Sequence, residues 1–338
     1  MKVLELYSGI GGMHLALKES SMEGEIIASI DINPTANKVY AHNFADIQLL
    51  NRNIQSLTPE YINELNVDTI LMSPPCQPFT RNGLREDIND SRTDSFIHLL
   101  NILPKLNLQY ILIENVKGFE ASKMRNILVE SLKSSKFIFQ EFILSPTQFG
   151  IPNTRHRYYC LAKKLPKQFD FKTNELVLEK LPEKYLNNVQ QPYPISMILD
   201  QDTYTDQYII SDEILQKRAI SLDICHCNSA RSCCFTKSYG RYVTGTGSVY
   251  TNKTKEELDV VFKELGDYQQ DASNYLKCIK QLQLRFFTPR EVCRLMCFPE
   301  SFDFPKDCIR SLKNPGLFKY FITVNNNLER NTFLWNFK

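Results

Sequence analysis

The chain has 338 residues, 43% of them hydrophobic, enough for one large domain and a smaller one. Forty Lys and Arg against 38 Asp and Glu give a net charge of +2, which excludes a generally basic coat for nucleic acid and leaves any polyanion to local patches and base contacts. No stretch approaches the roughly 18 apolar residues of a membrane span, and ten cysteines in a chain of this length read as reduced thiols, not as a secreted disulfide frame.

The N-terminal run Met1-Lys2-Val3-Leu4-Glu5-Leu6 carries an acid and lacks a small-residue cleavage site, so it reads as a first strand and not a signal peptide. Strands are expected at 3–6, 26–30, 69–72, 110–113, 137–144 and 158–162. Between them Met13, Ala16 and Leu17 share a helical spacing, as do Phe96, Leu99, Leu100 and Leu103. Strands alternating with helices predict an α/β fold with a doubly wound, mainly parallel sheet. Ligands of such sheets bind beyond the carboxyl ends of the strands.

Motifs fall at or beside those ends. Tyr7-Ser8-Gly9-Ile10-Gly11-Gly12-Met13 leaves the first strand and opens a helix, and its glycines allow a sharp turn and close approach to a ligand. Asp31, after the second strand, stands where this fold places an acid for ribose hydroxyls. The adjacent Gly11-Gly12 departs from the dinucleotide pattern and no Gly-Lys-Ser/Thr follows, so an adenosyl ligand without a phosphate chain fits better. Ser73-Pro74-Pro75-Cys76-Gln77-Pro78 sets one cysteine in a frame of three prolines, a stiffness that suits a nucleophile. Glu114 ends the strand at 110–113, and an acid there is costly to bury unless paired or used. Arg155 and Arg157 would point the same way on an extended segment, favour the thiolate of Cys76 and offer donors to a base carbonyl.

From about residue 165 the texture changes to Pro, Asn, Gln and Tyr without a sustained period. Arg231, Lys237 and Arg241 interleave with Phe235, Tyr239 and Tyr242, the pattern of a nucleic-acid surface. Cys225-His226-Cys227 and Cys233-Cys234 lack the spacing of a zinc site, so no metal is expected. His14, His42 and His98 have no partner spacing and read as structural.

The motifs resemble, in order, those of the cytosine-C5 methyltransferases: Gly9-Ile10-Gly11-Gly12, Asp31, Pro74-Pro75-Cys76-Gln77, Glu114-Asn115-Val116, Arg155 with Arg157, Phe287-Thr288-Pro289-Arg290-Glu291, and Cys297-Phe298-Pro299. The match covers 1–165 and 228–306. Cys234-Phe235-Thr236, followed by Lys237-Ser238-Tyr239-Gly240, is similar to the mark of the Dnmt2-type branch, which methylates a cytosine in the anticodon loop of aspartate tRNA.

The resemblance implies an S-adenosylmethionine-dependent enzyme acting on tRNA, with DNA as the alternative substrate and a catalytically weak nucleic-acid-binding protein as a third reading. It makes Cys76, Glu114, Arg155 and Arg157 catalytic. It lines the cofactor pocket with Ile10, Gly11, Gly12, Asp31, Asn53, Ile54, Gln55 and Ser73, and gives Cys234, Phe235, Thr236, Lys237 and Arg241 to the substrate. Asn53 replaces the usual Asp of the family, and its amide carbonyl can accept the same hydrogen bond from an adenine amine. The expected division is a catalytic and cofactor-binding domain at 1–165, a target-recognition domain at 166–280, a return segment at 281–306 and a divergent tail at 307–338. That tail lacks the closing Gly-Asn-Ser-type motif of the family, so weakened cofactor binding is expected. A monomer in the cytoplasm or nucleus, with no membrane and no metal, completes the expectation.

Overall fold

The computed structural model describes residues 1–20, 22–75, 91–185, 191–200, 206–268, 270–306 and 308. Cys76, Gln77 and Pro78, and the tail from 309 to 338, lie outside the described residues.

The first half runs β1 (Lys2–Leu6), α1 (Gly12–Glu19), β2 (Glu25–Asp31), α2 (Pro34–Asn43), β3 (Gln48–Asn51), α3 (Pro59–Glu64), β4 (Thr69–Met72), α4 (Asp94–Ile102), β5 (Tyr110–Val116), α5 (Lys123–Ser134), β6 (Phe137–Leu144), β7 (Arg157–Lys164) and β8 (Val177–Leu178). Among the described residues these strands form one sheet in the order β3-β2-β1-β4-β5-β7-β6-β8. Strands β3, β2, β1, β4 and β5 are parallel, whereas β7 runs antiparallel between β5 and β6. The chain reverses its direction of winding between β1 and β4, so a crevice opens beyond their carboxyl ends. The glycine loop and the proline-framed loop both leave from there.

Alternation along the strands gives the sheet two apolar faces. Leu4, Leu6, Ile70, Met72, Ile111 and Ile113 pack toward α3, α4 and α5, while Val3, Leu71 and Leu112 pack on α1. Local signals start the helices. Asn33 accepts the N–H groups of Thr35 and Ala36 ahead of Pro34, and Ser122 caps α5 through the N–H of Arg125.

All six expected strands form. The short, half-exposed β3 was not foreseen, because Gln48-Leu49-Leu50-Asn51 has too little apolar content to announce a strand. The sheet also continues past the expected boundary at 165: β8 pairs with β6, and Phe169, Phe171, Leu178, Leu181 and Tyr185 pack on the α1 face.

The second half holds α6 (Asp212–Arg218), β9 (Ile224–Cys225), β10 (Val249–Tyr250), α7 (Lys255–Leu265), α8 (Ala272–Lys280), β11 (Arg285–Phe286) and α9 (Pro289–Leu295). Its small sheet has the order β11-β10-β9. Its core is continuous with Ile10, Leu15, Val39, Tyr40 and Phe44 of the first half. The return segment ends on α2, where the Asn43 side chain donates to the Asp303 carbonyl at 2.8 Å and accepts the Asp303 N–H at 2.9 Å.

Candidate active site

The glycine loop is shaped by its backbone. Tyr7 (φ 55°), Gly9 (φ 55°) and Gly11 (φ 90°) all occupy the left-handed region, which glycine enters freely and Tyr7 only at some cost. A Cβ on Gly11 would stand 2.3 Å from the Phe44 ring. Asp31 holds the loop from β2. Its Oδ2 accepts the Gly9 N–H at 2.9 Å and its Oδ1 accepts the Asn33 N–H at 2.8 Å. Burial pushes the Asp31 carboxyl above its ordinary value, opposed by the amides of Asn33, Gly9 and Ile32. Ser8 Oγ is buried in the loop with no hydrogen-bond partner among the described residues.

Other expected cofactor residues surround this loop. Ile10 is buried, and Gly12 is the first residue of α1. Ser73 is buried with its Oγ 3.9 Å from Met13 Sδ. Ile54 is buried inside a single 3-10 turn that Asn53 caps. The Asn53 Oδ1 accepts the Gln55 N–H at 3.0 Å, which leaves one of its two lone pairs for an adenine amine. Ile32, next to Asp31, is 65% exposed.

The second wall is the end of β5 against the start of β7. Glu114 is 5% exposed, opposite Tyr159, and Val116 is opposite Arg157. Arg157 Nε reaches Glu114 Oε1 at 3.2 Å. Burial raises the Glu114 carboxyl, while Arg157 and then Arg155 pull it down. Asn115 donates from Nδ2 to the Pro74 carbonyl at 3.3 Å, which joins this strand end to the loop that carries Cys76. Cys76 itself lies outside the described residues.

Arg155 and Arg157 converge on Cys234 from different depths. Arg155 is 1% exposed; its Nη1 donates to the Phe235 carbonyl at 3.0 Å and lies 3.4 Å from Cys234 Sγ. Arg157 Nη2 lies 3.8 Å from the same sulfur. Burial works to raise the Cys234 thiol, but the guanidinium groups of Arg155 and Arg157 outweigh it and bring the thiol below its ordinary value. Arg155 thus holds the 234–236 loop from inside the protein, while the Arg157 side chain lies nearer the surface.

The aromatic pattern is corrected. Phe235 is fully buried, edge-on to Tyr239 at 4.7 Å and to Phe287 at 5.7 Å, so Phe235 and Tyr239 are core and present no face to a base. The alternation of basic and aromatic residues there records packing for Phe235 and Tyr239, which lie inside, while Tyr242 is exposed. Lys237 and Arg241 are exposed, and Arg241 lies over the Tyr242 ring at 5.4 Å. Thr236 is held by its N–H to the Thr246 carbonyl at 2.8 Å. The nine described cysteines are free thiols, and among the described residues no group of three His, Cys, Asp or Glu side chains converges as a metal site would require.

Chemically, this wall offers a carboxyl whose hold on a proton burial strengthens, beside a guanidinium that favours its anion. Such a group is poised to exchange a proton with a ring nitrogen. A family model described as C-5 cytosine-specific DNA methylase matches residues 1–313. The chain belongs to this family.

Among curated proteins it is 48% identical, over 93% of this chain and 94% of the relative, to a Spodoptera frugiperda protein named tRNA (cytosine(38)-C(5))-methyltransferase. A Bos taurus protein of the same name is 39% identical over 90% of this chain and 92% of its own length. The crystal structure of a Spodoptera frugiperda DNMT2 mutant superposes with a TM-score of 0.88 at 44% identity, covering 99% of this chain and 98% of that one. C5 methylases of the Dnmt2 type use S-adenosylmethionine. The loop fits its adenosyl part: Ser8 offers a buried hydroxyl with no partner among the described residues, and Asp31 lies beside the apolar Ile32.

Proposed function

We propose that the protein methylates carbon 5 of a cytosine in tRNA, cytosine-38 in the anticodon loop of aspartate tRNA, with S-adenosylmethionine as the donor. The near full-length identity to the Spodoptera enzyme of that name carries the reading, and the buried Glu114–Arg157 pair supports it.

In this reading the Cys76 thiolate adds to C6 of the cytosine. Glu114 places its proton at N3, which accepts the charge that the addition creates. C5 becomes nucleophilic and takes the electrophilic methyl group that the donor supplies. A base then removes the C5 proton, the C5–C6 double bond re-forms as Cys76 leaves as the thiolate, and N3 returns its proton to Glu114. Arg157 holds Glu114 in place and faces the base. The target base has to leave its stack first, which costs least in a loop whose bases are unpaired. Lys237 and Arg241, exposed and following the 234–236 loop in the chain, are cations offered to the backbone. The protein acts as a monomer in the cytoplasm or nucleus.

Methylation of an aspartate tRNA transcript and of duplex DNA, by the wild type and by Cys76→Ala, tests the proposal. Product on tRNA that disappears in the variant supports it. Product on DNA alone reverses the substrate assignment. A pure binding protein forms no covalent complex with RNA containing 5-fluorocytosine, whereas this mechanism traps one.

A further inference from the structure

The glycine loop leaves α1 without a side-chain cap. Gly11 stands at the cap position, and the first turn contains no acid. One of the amides that a cap would meet is satisfied from below instead. Glu5, on β1 and 1% exposed, accepts the His14 N–H through Oε1 at 3.2 Å. Its Oε2 accepts the Tyr40 hydroxyl at 2.8 Å, and Ser29 Oγ stands 3.4 Å away. Tyr40 Oη also lies 2.9 Å from His14 Nδ1, and the His14 ring stacks on Phe44 at 3.9 Å. Tyr40 and Phe44 are the rings pressed against Gly11. One buried carboxyl thus reaches the start of α1 and, through one hydroxyl, the rings that wall the loop.

We propose that Glu5 is a positioning residue for the cofactor: it caps α1 from beneath, holds Tyr40 against Gly11, and couples its own ionisation to occupation of the loop by a cationic ligand. This rests on the reading that the loop takes S-adenosylmethionine, whose sulfonium is positive.

The network has two complete hydrogen-bonding states. With Glu5 neutral, its O–H donates to Tyr40 Oη, and the Tyr40 hydroxyl donates to His14 Nδ1. With Glu5 ionised, Tyr40, Ser29 and the His14 amide all donate to it, and His14 changes tautomer to donate from Nδ1. The ionised carboxyl is the better partner for a helix N-terminus and the better neighbour for a cation. The groups facing Glu5 are His14 of α1, with Lys18 acting on His14, then Tyr40 of α2 and Asp31 of β2; β4 (Thr69–Met72) brings no titratable side chain. Burial raises Glu5 to about 8, against the hydrogen bonds from Tyr40, His14 and Ser29. Burial, and then Lys18, lower His14 to about 4, so the imidazole stays neutral while Glu5 titrates.

The test is the dissociation constant of S-adenosylmethionine, measured by equilibrium dialysis on the full chain from about pH 6.5 to about pH 9, for the wild type, Glu5→Gln and Tyr40→Phe. The cofactor's own amine titrates near about 7.7–8.0 in every case, so the wild-type to Glu5→Gln affinity ratio isolates Glu5. That ratio is expected to grow about five-fold across the range. KM for the cofactor should follow it while KM for tRNA does not. Tyr40→Phe loses a bond that favours the anion, so its rise in affinity moves to higher pH, and this shift carries the test if Glu5→Gln does not fold. A constant ratio, or an unmoved Tyr40→Phe profile, overturns the inference alone. Absence of binding by the wild type at every pH overturns the cofactor reading and the inference with it.

Discussion

Arg157 Nε lies 3.2 Å from Glu114 Oε1 across the antiparallel β5–β7 ladder. The pair joins the buried acid near the end of β5 to the first residue of β7, two residues after the Arg155 that contacts the 234–236 loop. In a buried site, such a contact sets the protonation of the acid as well as its position.

Replacing Arg157 by Ala removes the larger of the two charges that oppose burial at Glu114. The carboxyl then rises further, and a protonated Glu114 persists to higher pH. Since the proposed step uses the proton, the alkaline limb of the single-turnover rate should move upward in pH. The rate plateau should fall by about a hundredfold as positioning is lost. A limb that stays in place would show that Glu114 is not the titrating group.

Arg155→Ala makes a different change. It leaves the Phe235 carbonyl with only the weak Cys234 thiol donor at 3.6 Å and opens a void in the interior. An unmet buried acceptor costs about 1–3 kcal/mol. The thermal midpoint should drop by several degrees, and KM for tRNA should rise as the 234–236 loop loosens. Arg157→Ala should lower the midpoint less, because its guanidinium is nearer the surface. Equal midpoints for the two variants would contradict the clamp.

The difference between these two arginines was not legible in the sequence. Alternation along an extended segment put both on one side, but burial depends on which loop closes over the segment, and the 234–236 loop is about eighty residues away. For the same reason the spacing of Phe235 and Tyr239 beside Lys237 and Arg241 resembled a stacking surface, while the fold turns the rings inward. What the sequence did carry was local: the glycine run, the apolar strands, the acids at their ends. Those residues act through backbone shape and strand position. Glu5 sits inside an apolar strand like a flaw in the pattern, and only its distant partners Ser29 and Tyr40 explain it.

Glu5 also predicts how stability varies with pH. An unfolded carboxyl titrates near about 4.3, whereas the folded one titrates at about 8. The folded state therefore holds the proton more tightly, and stability from this group is complete below about pH 4 and is lost as the pH rises toward about 8. His14 has the opposite sign. Its folded value is lowered to about 4, so stability falls as acid protonates the unfolded imidazole below about 6.5. The two offset one another between about pH 4 and 6.5. Above that window Glu5 acts alone, with a slope of up to ~1.4 kcal/mol per pH unit. Urea unfolding at about pH 6.5 and 8 should show this decline in the wild type and a flatter line in Glu5→Gln.

Gly11→Ala separates the two reasons for a glycine at this position. The backbone has φ 90°, where an L side chain costs roughly 1–2 kcal/mol. The new Cβ would also meet Phe44 at 2.3 Å and the Tyr40 ring at 3.1 Å, and such overpacking costs about 1–3 kcal/mol. Only the second cost can be relieved from outside the loop. Phe44→Ala removes the obstructing ring, so the double variant should recover part of the loss relative to the sum of the single variants, with a coupling of about 1 kcal/mol in a double-mutant cycle. Denaturant midpoints give that cycle directly. Strict additivity would mean that α2 yields to the Cβ and that backbone conformation alone demands the glycine. Binding of S-adenosylmethionine should stay weak even in the double variant, because the residual strain at φ 90° still displaces the amides that face the ligand.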